Sequence, residues 1–497
     1  MAAFPLNRSQ WQLVVPASLY SKLISHLFPG DNDEHGAVIT AGTHVLPDGR
    51  VRLLARELHL AVDGQDYLPS TRGYRRLRAE FITKHIVPCR DEGLAYLAVH
   101  NHGGNDSVEF STDDIRSHER GYPALLDVVN GPPVGGLVLA RSAAAGDIWL
   151  PGCERVSLQS VTVVGRQRRI LQSRPTASSF YGPAIYDRQA RLFGETGQDI
   201  LRTSKVGIVG LGGVGSLLAE FLGHLGVGSF VLIDPDRLEP SNIPRVAGAS
   251  FWLARTWLRK RWLPASIGRL AQRLSVPKVA LARRGIARVN PSASVVAIHG
   301  DVLEPANAAH LLGCDYIFLA ADTMRARLLF NQIVHQYLIP GVQVGSKVGT
   351  AENGDVTSVF SVVRPVAPDK GCLWCNGLIN RTKLQAESQT REERKAQRYV
   401  DEPEIVAPSV VTLNAVGAAH AANDFLFYMT GLSNGLASQD YFRHDPQTRC
   451  SWLDEPRKDE LCPECGHTPR SRLARGDART LNTRRASANH YNGEARY

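Results

Sequence analysis

No stretch of this 497-residue sequence is apolar for long enough to cross a bilayer. Its first residues, Met1 to Trp11, lack the basic-then-apolar order of a secretory signal. Both absences point to a cytoplasmic protein with no membrane partner. Internal repeats are lacking too, and the length exceeds what one hydrophobic core serves, so two or three domains are expected. Acid is missing altogether between Val246 and Pro277, where six basic residues and Trp252, Trp257 and Trp262 stand. That stretch reads as a surface helix pair packing its tryptophans inward, with a docking element for a partner as the alternative. The end of the chain, Pro469 to Tyr497, has almost no apolar periodicity. It holds seven arginines against Asp477 and Glu494, which predicts a disordered basic tail. No aromatic pattern accompanies that charge, so nucleic acid is not an expected partner.

What is present divides the chain by rhythm. Residues 10–160 alternate short apolar runs with turns (GAVITAG, VRLLARELHL, LAYLAVHNH, GGLVLAR), a mixed α/β unit assigned to residues 1–165. A polar, arginine-containing linker comes next at 166–185. From Tyr186 the pattern becomes strand, glycine turn, helix, strand. The strand is Lys205 to Gly210, and the turn is Gly210-Leu-Gly212-Gly213-Val-Gly215. The helix places Val214, Leu217, Leu218, Phe221, Leu222 and Leu225 on one face. Further strands are Ser229–Asp234, Val295–His299 and Asp315–Ala321, so a parallel, doubly wound Rossmann-like sheet is predicted for 186–468.

The glycine turn with Asp234 roughly 20 residues on would by itself suit a dinucleotide dehydrogenase. The residues beyond Asp234 do not suit one. Asp236, Asn242 and Arg245 in Ser241-Asn-Ile-Pro-Arg, then Lys278, then Asp322 after an apolar strand, put two cations and another carboxylate around the phosphates. Hydride transfer has no use for them. In adenylyl transfer a carboxylate attacks the α-phosphorus and pyrophosphate leaves with its charge neutralised. Arg245 and Lys278 can clamp phosphate oxygens, and Asp322 can hold magnesium.

With these residues, the run Tyr186-Asp-Arg-Gln-Ala-Arg-Leu-Phe-Gly-Glu-Thr-Gly-Gln198 resembles the entry helix of the ThiF/MoeB and ubiquitin-activating superfamily. The resemblance extends to His467. It implies ATP and Mg2+ as cofactors, with Arg188 reaching the phosphates, in family dimers often from the neighbouring subunit. Arg245 and Lys278 would bind phosphate, Asp234 and Asp236 the ribose, and Asp322 magnesium, with Asn242 in the nucleotide pocket. It also implies a homodimer acting on a ubiquitin-like or sulfur-carrier protein, with a conjugating enzyme as a further partner. Val246 stands where the family has glutamine, and the basic insertion comes after it.

Eight cysteines are present, and four form Cys372-x-x-Cys375 and Cys462-x-x-Cys465. In a reducing compartment this spacing predicts a closed, structural four-thiolate zinc site. Many superfamily members pass the activated protein to a cysteine between such pairs. Arg381 to Pro408 has none, and Cys450 is the only cysteine between Cys375 and Cys462. Cys450, a hydroxyl such as Ser409 or Thr412, or no covalent acceptor at all remain open, while Cys314 reads as core.

In the N-terminal unit, His100-Asn-His102 followed by Ser111-Thr-Asp-Asp114 resembles the JAMM/MPN zinc isopeptidase motif, with Gly103 where that family has proline. The resemblance implies a catalytic zinc on His100, His102 and Asp114, leaving one position open to water. Ser111 would assist by hydrogen bonding to the water or oxyanion. Glu34 would be the general base, with Glu57 as the alternative. A fusion of the two domain types resembles components of bacterial ubiquitin-like conjugation systems, often linked to anti-phage defence. A sulfur-carrier activator for thiamine, molybdopterin or cysteine biosynthesis is the other reading.

Overall fold

Short runs of β-branched and aliphatic residues in the first third of the chain become eight strands. They are β1 (Trp11–Pro16), β2 (Gly36–Val45), β3 (Val51–Leu60), β4 (Ala95–Asn101), β5 (Val134–Leu139), β6 (Ala144–Leu150), β7 (Glu154–Val164) and β8 (Arg169–Leu171). The structure is a computed structural model and describes residues 10–69, 75–175, 184–259, 262–351, 355–388, 408–432 and 440–484. The strand order is β1-β3-β2-β4-β5-β6-β7-β8, and β1 also pairs with β7, so the sheet closes on itself. One side of it buries Trp11, Leu13, Leu53, Leu97 and Ile148 under the helix Ala17–Leu27. The other side carries the helices Ala79–Glu92 and Thr112–Val129.

The second sheet holds β9 (Lys205–Val209), β10 (Ser229–Asp234), β11 (Ser294–His299), β12 (Tyr316–Leu319), β13 (Gly341–Thr350), β14 (Val356–Val366), β15 (Tyr441–Asp445) and β16 (Cys450–Asp454). Its order is β11-β10-β9-β12-β13-β14-β15-β16. The first five strands run parallel and the last three antiparallel. Strands such as Val206–Val209 and Phe230–Ile233 are apolar without alternation because helices cover both faces. The predicted strands and the helix after the glycine turn, Gly213–His224, are all present. Chain direction across the sheet reverses between β9 and β12, which opens a crevice at their carboxyl ends. Among the described residues no helix is long and apolar enough to cross a membrane.

Three expectations are corrected. The linker from residue 166 is partly sheet, because Arg169–Leu171 pairs with Val161–Val163 of β7; residues 176–183 lie outside the described ones. The disordered tail from residue 469 is, up to Arg484, a segment laid between the two sheets. Gly476 bridges to Thr43, and Asp477 accepts hydrogen bonds from Val45 N (2.9 Å) and meets His44 Nδ1 (2.8 Å). On the other side Gln336 Nε2 donates to Gly476 O and Arg479 O, and Asn482 N donates to Gln332 Oε1. The tail is ordered because the helix Met324–Tyr337 buries a polar stripe whose amides need backbone partners. Residues 485–497 of the predicted tail lie outside the described residues. The third correction is the basic insertion, whose Trp252 and Trp262 face outward, because Ala254 and Ala271 fill the inward positions.

The two sheets share one core. Val14, Leu54 and Val164 of the first pack in a cluster with Val366 of the second and with Leu311 and Ile333 of the helices on its face. Arg52 Nη1 crosses to Leu312 O and Cys314 O, at 3.1 and 3.3 Å.

Candidate functional site

Two clusters of chemistry-bearing side chains stand out. In the N-terminal unit, β4 delivers His100 and the residues just past its end deliver His102. The helix Thr112–Val129 starts at Ser111 with a reciprocal capping box. Ser111 Oγ accepts from Asp114 N, and Ser111 N donates to Asp114 Oδ2 at 2.8 Å. The cap therefore aims the Asp114 carboxylate at the histidines. His100 Nε2 lies 3.2 Å from His102 Nε2 and 3.5 Å from Asp114 Oδ1. His102 Nε2 lies 3.3 Å from Asp114 Oδ2. A tetrahedral zinc with bonds near 2.0–2.1 Å requires ligand atoms about 3.3 Å apart; the two nitrogens meet this, and each lies near that distance from one or the other Asp114 oxygen, so the three side chains could hold the ion. His102 Nδ1 meets Glu109 O at 3.0 Å, which leaves Nε2 as the ligating nitrogen.

Glu34, on the loop before β2, brings Oε1 to 3.7 Å from His102 Nε2. Burial pushes its carboxyl above the ordinary range. Burial pushes the same way at Asp114, but hydrogen bonds from His100 and His102 hold that carboxyl well below its usual value. Glu57, the alternative base, sits on β3 beside Arg56 and His59, away from this cluster. The Ser111 hydroxyl also donates to Asp114 Oδ2 at 2.7 Å. Its proton is thus given to the carboxylate while its oxygen accepts from Asp114 N, so in this structure the hydroxyl positions Asp114. A cavity of about 490 Å³ opens beside Glu34, His100 and Asp114, lined further by Tyr67, Arg75 and His118. Sequence reasoning missed His118, whose Nδ1 meets the buried Asp147 at 3.0 Å. Its position one helical turn past Asp114 was the available signal.

The second cluster surrounds the crevice after β9. Gly210 has φ +87°, and a side chain there would meet the backbone of Ala320 and Ala321; one at Gly215 would lie 1.8 Å from Gly210 O. Both positions therefore require glycine. Gly213 is closed by Asn414, which a Cβ would meet at 2.1 Å, while Gly212 is open. Asn414 was not foreseen. It is buried on the helix Val411–Thr430 and bonds Ser346 and Ser409.

Asp234 Oδ2 accepts from Leu211 N at 2.6 Å and Oδ1 from Asp236 N at 2.8 Å. One of its oxygens is taken by the glycine turn and the other by the loop just after β10, and burial raises its pKa. Asp236 is the more exposed of the pair and holds Lys278 Nζ at 2.6 Å. Asn242 is buried, its Oδ1 accepting from Glu239 N. Arg245 comes three residues later, and Asp322 lies beyond the end of β12. Neither side chain has a hydrogen-bond or ion-pair partner among the described residues, although the Asp322 carboxylate acts at longer range on Arg327. Arg188 is likewise exposed and unpaired there.

In the same domain Cys372, Cys375, Cys462 and Cys465 form a buried cluster able to bind zinc. Sγ separations are 3.5 Å for Cys372–Cys375, 3.7 Å for Cys372–Cys462 and 3.5 Å for Cys375–Cys465. Zinc–sulfur bonds near 2.3 Å put tetrahedral edges at about 3.8 Å, so the four thiols fit. Residues 186–464, more than half the chain, match the ThiF family.

The chain belongs to the ThiF family. Its ThiF domain is 28% identical over 173 residues to the tRNA threonylcarbamoyladenosine dehydratase of Bacillus subtilis, covering 35% of this chain and 59% of that protein. It is 30% identical over 148 residues to the molybdopterin-synthase adenylyltransferase of Escherichia coli, covering 29% and 51%. The chain thus spans only a little over half the length of these relatives. The E. coli MccB structure with ATP aligns at a TM-score of 0.42 and 19% identity, over 58% of this chain and 76% of that one.

The structure separates the candidate acceptors around the ThiF crevice. Cys450 is exposed on β16, the sheet's edge. Four strands lie between it and β9, on the order of 20 Å at the usual strand spacing. Cys314 is buried, and burial pushes its thiol up to about 12. Ser409 accepts from Asn414 Nδ2 at 3.1 Å, the same side chain that closes on Gly213. Thr412 lies on the same helix. The segment 389–407, which leads to Ser409, lies outside the described residues.

Proposed function

We propose that this ThiF-family protein adenylates the C-terminal carboxylate of a ubiquitin-like or sulfur-carrier protein at the expense of ATP. The observation that carries this is the set of charges around the glycine turn: the Arg245 and Asp322 side chains make no hydrogen bond or ion pair among the described residues, and Lys278 is held at the crevice by Asp236. Unpaired charges at the carboxyl ends of parallel strands suit a ligand that brings phosphates and a metal. Asp322 would hold magnesium, which supplies charge neutralisation on the phosphates. A carboxylate oxygen of the carrier attacks the α-phosphorus, and the bond to the pyrophosphate oxygen breaks. Arg245 and Lys278 stabilise the charge that develops on the departing pyrophosphate. Asp236, more exposed than Asp234, binds the ribose, and Asp234 aligns the turn. Arg188 comes from a neighbouring subunit of a homodimer.

The test is isotope exchange between pyrophosphate and ATP, with magnesium and a ubiquitin-like or sulfur-carrier protein supplied. Exchange in the parent that survives Asp322→Ala undiminished contradicts the placement of the metal. If the activated carrier is then passed to the enzyme, Ser409 is the better placed acceptor, and its ester would survive thiol but break in base. Cys450 would give a bond that thiol reductant cleaves.

For the N-terminal unit we propose zinc-dependent processing or deconjugation of the same carrier, of the JAMM/MPN type. Support comes from the three ligand edges of 3.2–3.5 Å with Glu34 beside them. Zinc on His100, His102 and Asp114 would supply electrophilic activation of water. Glu34 takes the proton from the attacking water and gives it to the departing amine as the amide C–N bond breaks. Ser111 is a positioning residue that fixes Asp114. Both activities would serve one bacterial-type conjugation pathway. The alternative is that the ThiF domain stops at the adenylate, as a sulfur-carrier activator does.

A further inference from the structure

The described residues of the insertion, 246–259 and 262–277, are anchored to the crevice and expose several large side chains. Its inner side forms a small core of Leu238, Val246, Ala254 and Leu281. Arg255 Nε donates to Leu274 O, Arg259 Nη2 to Ser275 Oγ, and Ser275 Oγ to Ala254 O. It returns to the crevice through Val276 O, which accepts from Leu238 N, and through Lys278 N, which donates to Asp236 O. On this anchored frame Phe251 is 69% exposed, Trp252 71%, Trp262 76%, Leu270 51% and Leu274 50%. Arg269 and Arg273 are exposed beside Leu270 and Leu274 on the same helix, and their side chains have no hydrogen-bond or ion-pair partner among the described residues. The insertion carries no acid; its Gln272 meets Glu239 at the edge. Large apolar side chains concentrated on a fixed frame mark an interaction surface.

We propose that this face docks the protein that brings the carboxylate to the crevice, through an apolar patch on that protein ringed by acidic residues. The proposal rests on the adenylation reading for the identity of the cargo. Three observations select the occupant. The insertion is rooted between the two side chains that would clamp phosphate, so whatever sits on it lies beside the reacting end. The unpaired arginines call for acid on the partner, and they would repel the same face of a second copy. Aliphatic Leu270 and Leu274 among the aromatics, with cations around them, match the apolar core and charged rim of a protein interface. A surface for stacked bases would need only the aromatics and cations.

The experiment uses the full chain and monitors tryptophan fluorescence. The protein probe is an acidic copolymer of glutamate and tyrosine; poly(U) and phosphatidylserine vesicles are the competing probes. The copolymer is expected to bind and to weaken as salt is raised. Trp252→Ser with Trp262→Ser should weaken it by at least about tenfold, since buried tryptophans dominate such interfaces. Arg269→Ser with Arg273→Ser should weaken it and flatten the salt dependence. Calorimetric Mg·ATP affinity should be unchanged in both double variants, which shows that they are folded. Unchanged copolymer binding in both variants overturns the proposal. So does tighter binding of poly(U) or vesicles that depends on the tryptophans, or a parent dimer that the tryptophan changes dissociate. If the parent binds no Mg·ATP, the adenylation reading fails, and with it the cargo, whatever the copolymer does.

Discussion

The N-terminal cluster and the ThiF crevice are built on opposite electrostatic plans. In the first, His100, His102, Asp114 and Glu34 already lean on one another at 3.2–3.7 Å, and Ser111 locks the carboxylate in place. In the second, the turn is fixed by Gly210, Gly215 and Asp234, but Arg245, Asp322 and Arg188 stand apart. Under the functions proposed for them, the difference follows from ligand size. A single small ion needs donors that converge to within a few tenths of an ångström before it arrives. A nucleotide is large and multiply charged, so its clamp residues must be spaced out, and pairing them with each other would oppose binding. Lys278, paired with Asp236, is the exception.

The strongest way to sharpen this comparison uses the two metal-type clusters against each other. Cys372→Ser or Cys465→Ser should release zinc and abolish the cooperative melting transition of the chain. A structural zinc site contributes on the order of 10 kcal/mol, comparable with a domain's entire stability. His102→Ala should also lose one zinc, yet leave the melting transition in place, because the closed sheet keeps its core. Metal analysis beside calorimetry distinguishes the two; equal loss of melting in both would erase the distinction.

Next in size is Glu34→Gln, which should keep zinc and lower cleavage of a conjugated carrier by about 10²–10⁴-fold. Glu57→Gln should cleave as the parent does, and the reverse pattern would move the base to β3. In the crevice, Arg245→Ala and Asp322→Ala should each lower pyrophosphate exchange by about 10²–10³-fold without moving the melting temperature, since neither is paired. Lys278→Ala should lower both, because it leaves Asp236 without its partner. A melting shift in Asp322→Ala would break the contrast between preformed and open sites. The smallest effect belongs to Ser111→Ala. Loss of the cap should cost about 1 kcal/mol, measurable by denaturant titration, with a rise in the dissociation constant for zinc.

Much of both sites was legible along the chain. Gly210 to Gly215 announced a close backbone approach, and the structure supplies the reason at Gly215, where a Cβ would strike Gly210 O. His100, His102, Ser111 and Asp114 lie on one strand-loop-helix, so local order nearly fixes their meeting. The two Cys-x-x-Cys pairs announced their cluster by spacing alone. Less could be read where distant segments meet. Nothing near Asn414 in sequence indicates that it closes on Gly213, and nothing in sequence shows that Asp234 accepts two backbone amides while Asp236 takes Lys278 Nζ.

The sequence by itself determined the doubly wound sheet, the glycine turn, the four thiols and the histidine pair, because each is encoded by residue type at short, regular spacing. Only the tertiary structure decided that the two units share a core, that residues up to Arg484 lie between them, and that Trp252 and Trp262 face outward. These depend on which surface a side chain meets. Several described arginines that suggested a solvated tail find partners within the protein instead: Arg472 donates to Gln336 Oε1 and Thr480 O, Arg475 pairs with Glu92, and Arg484 with Asp301. Charge along a chain reports a need for polar partners, and whether water or protein supplies them is settled by packing.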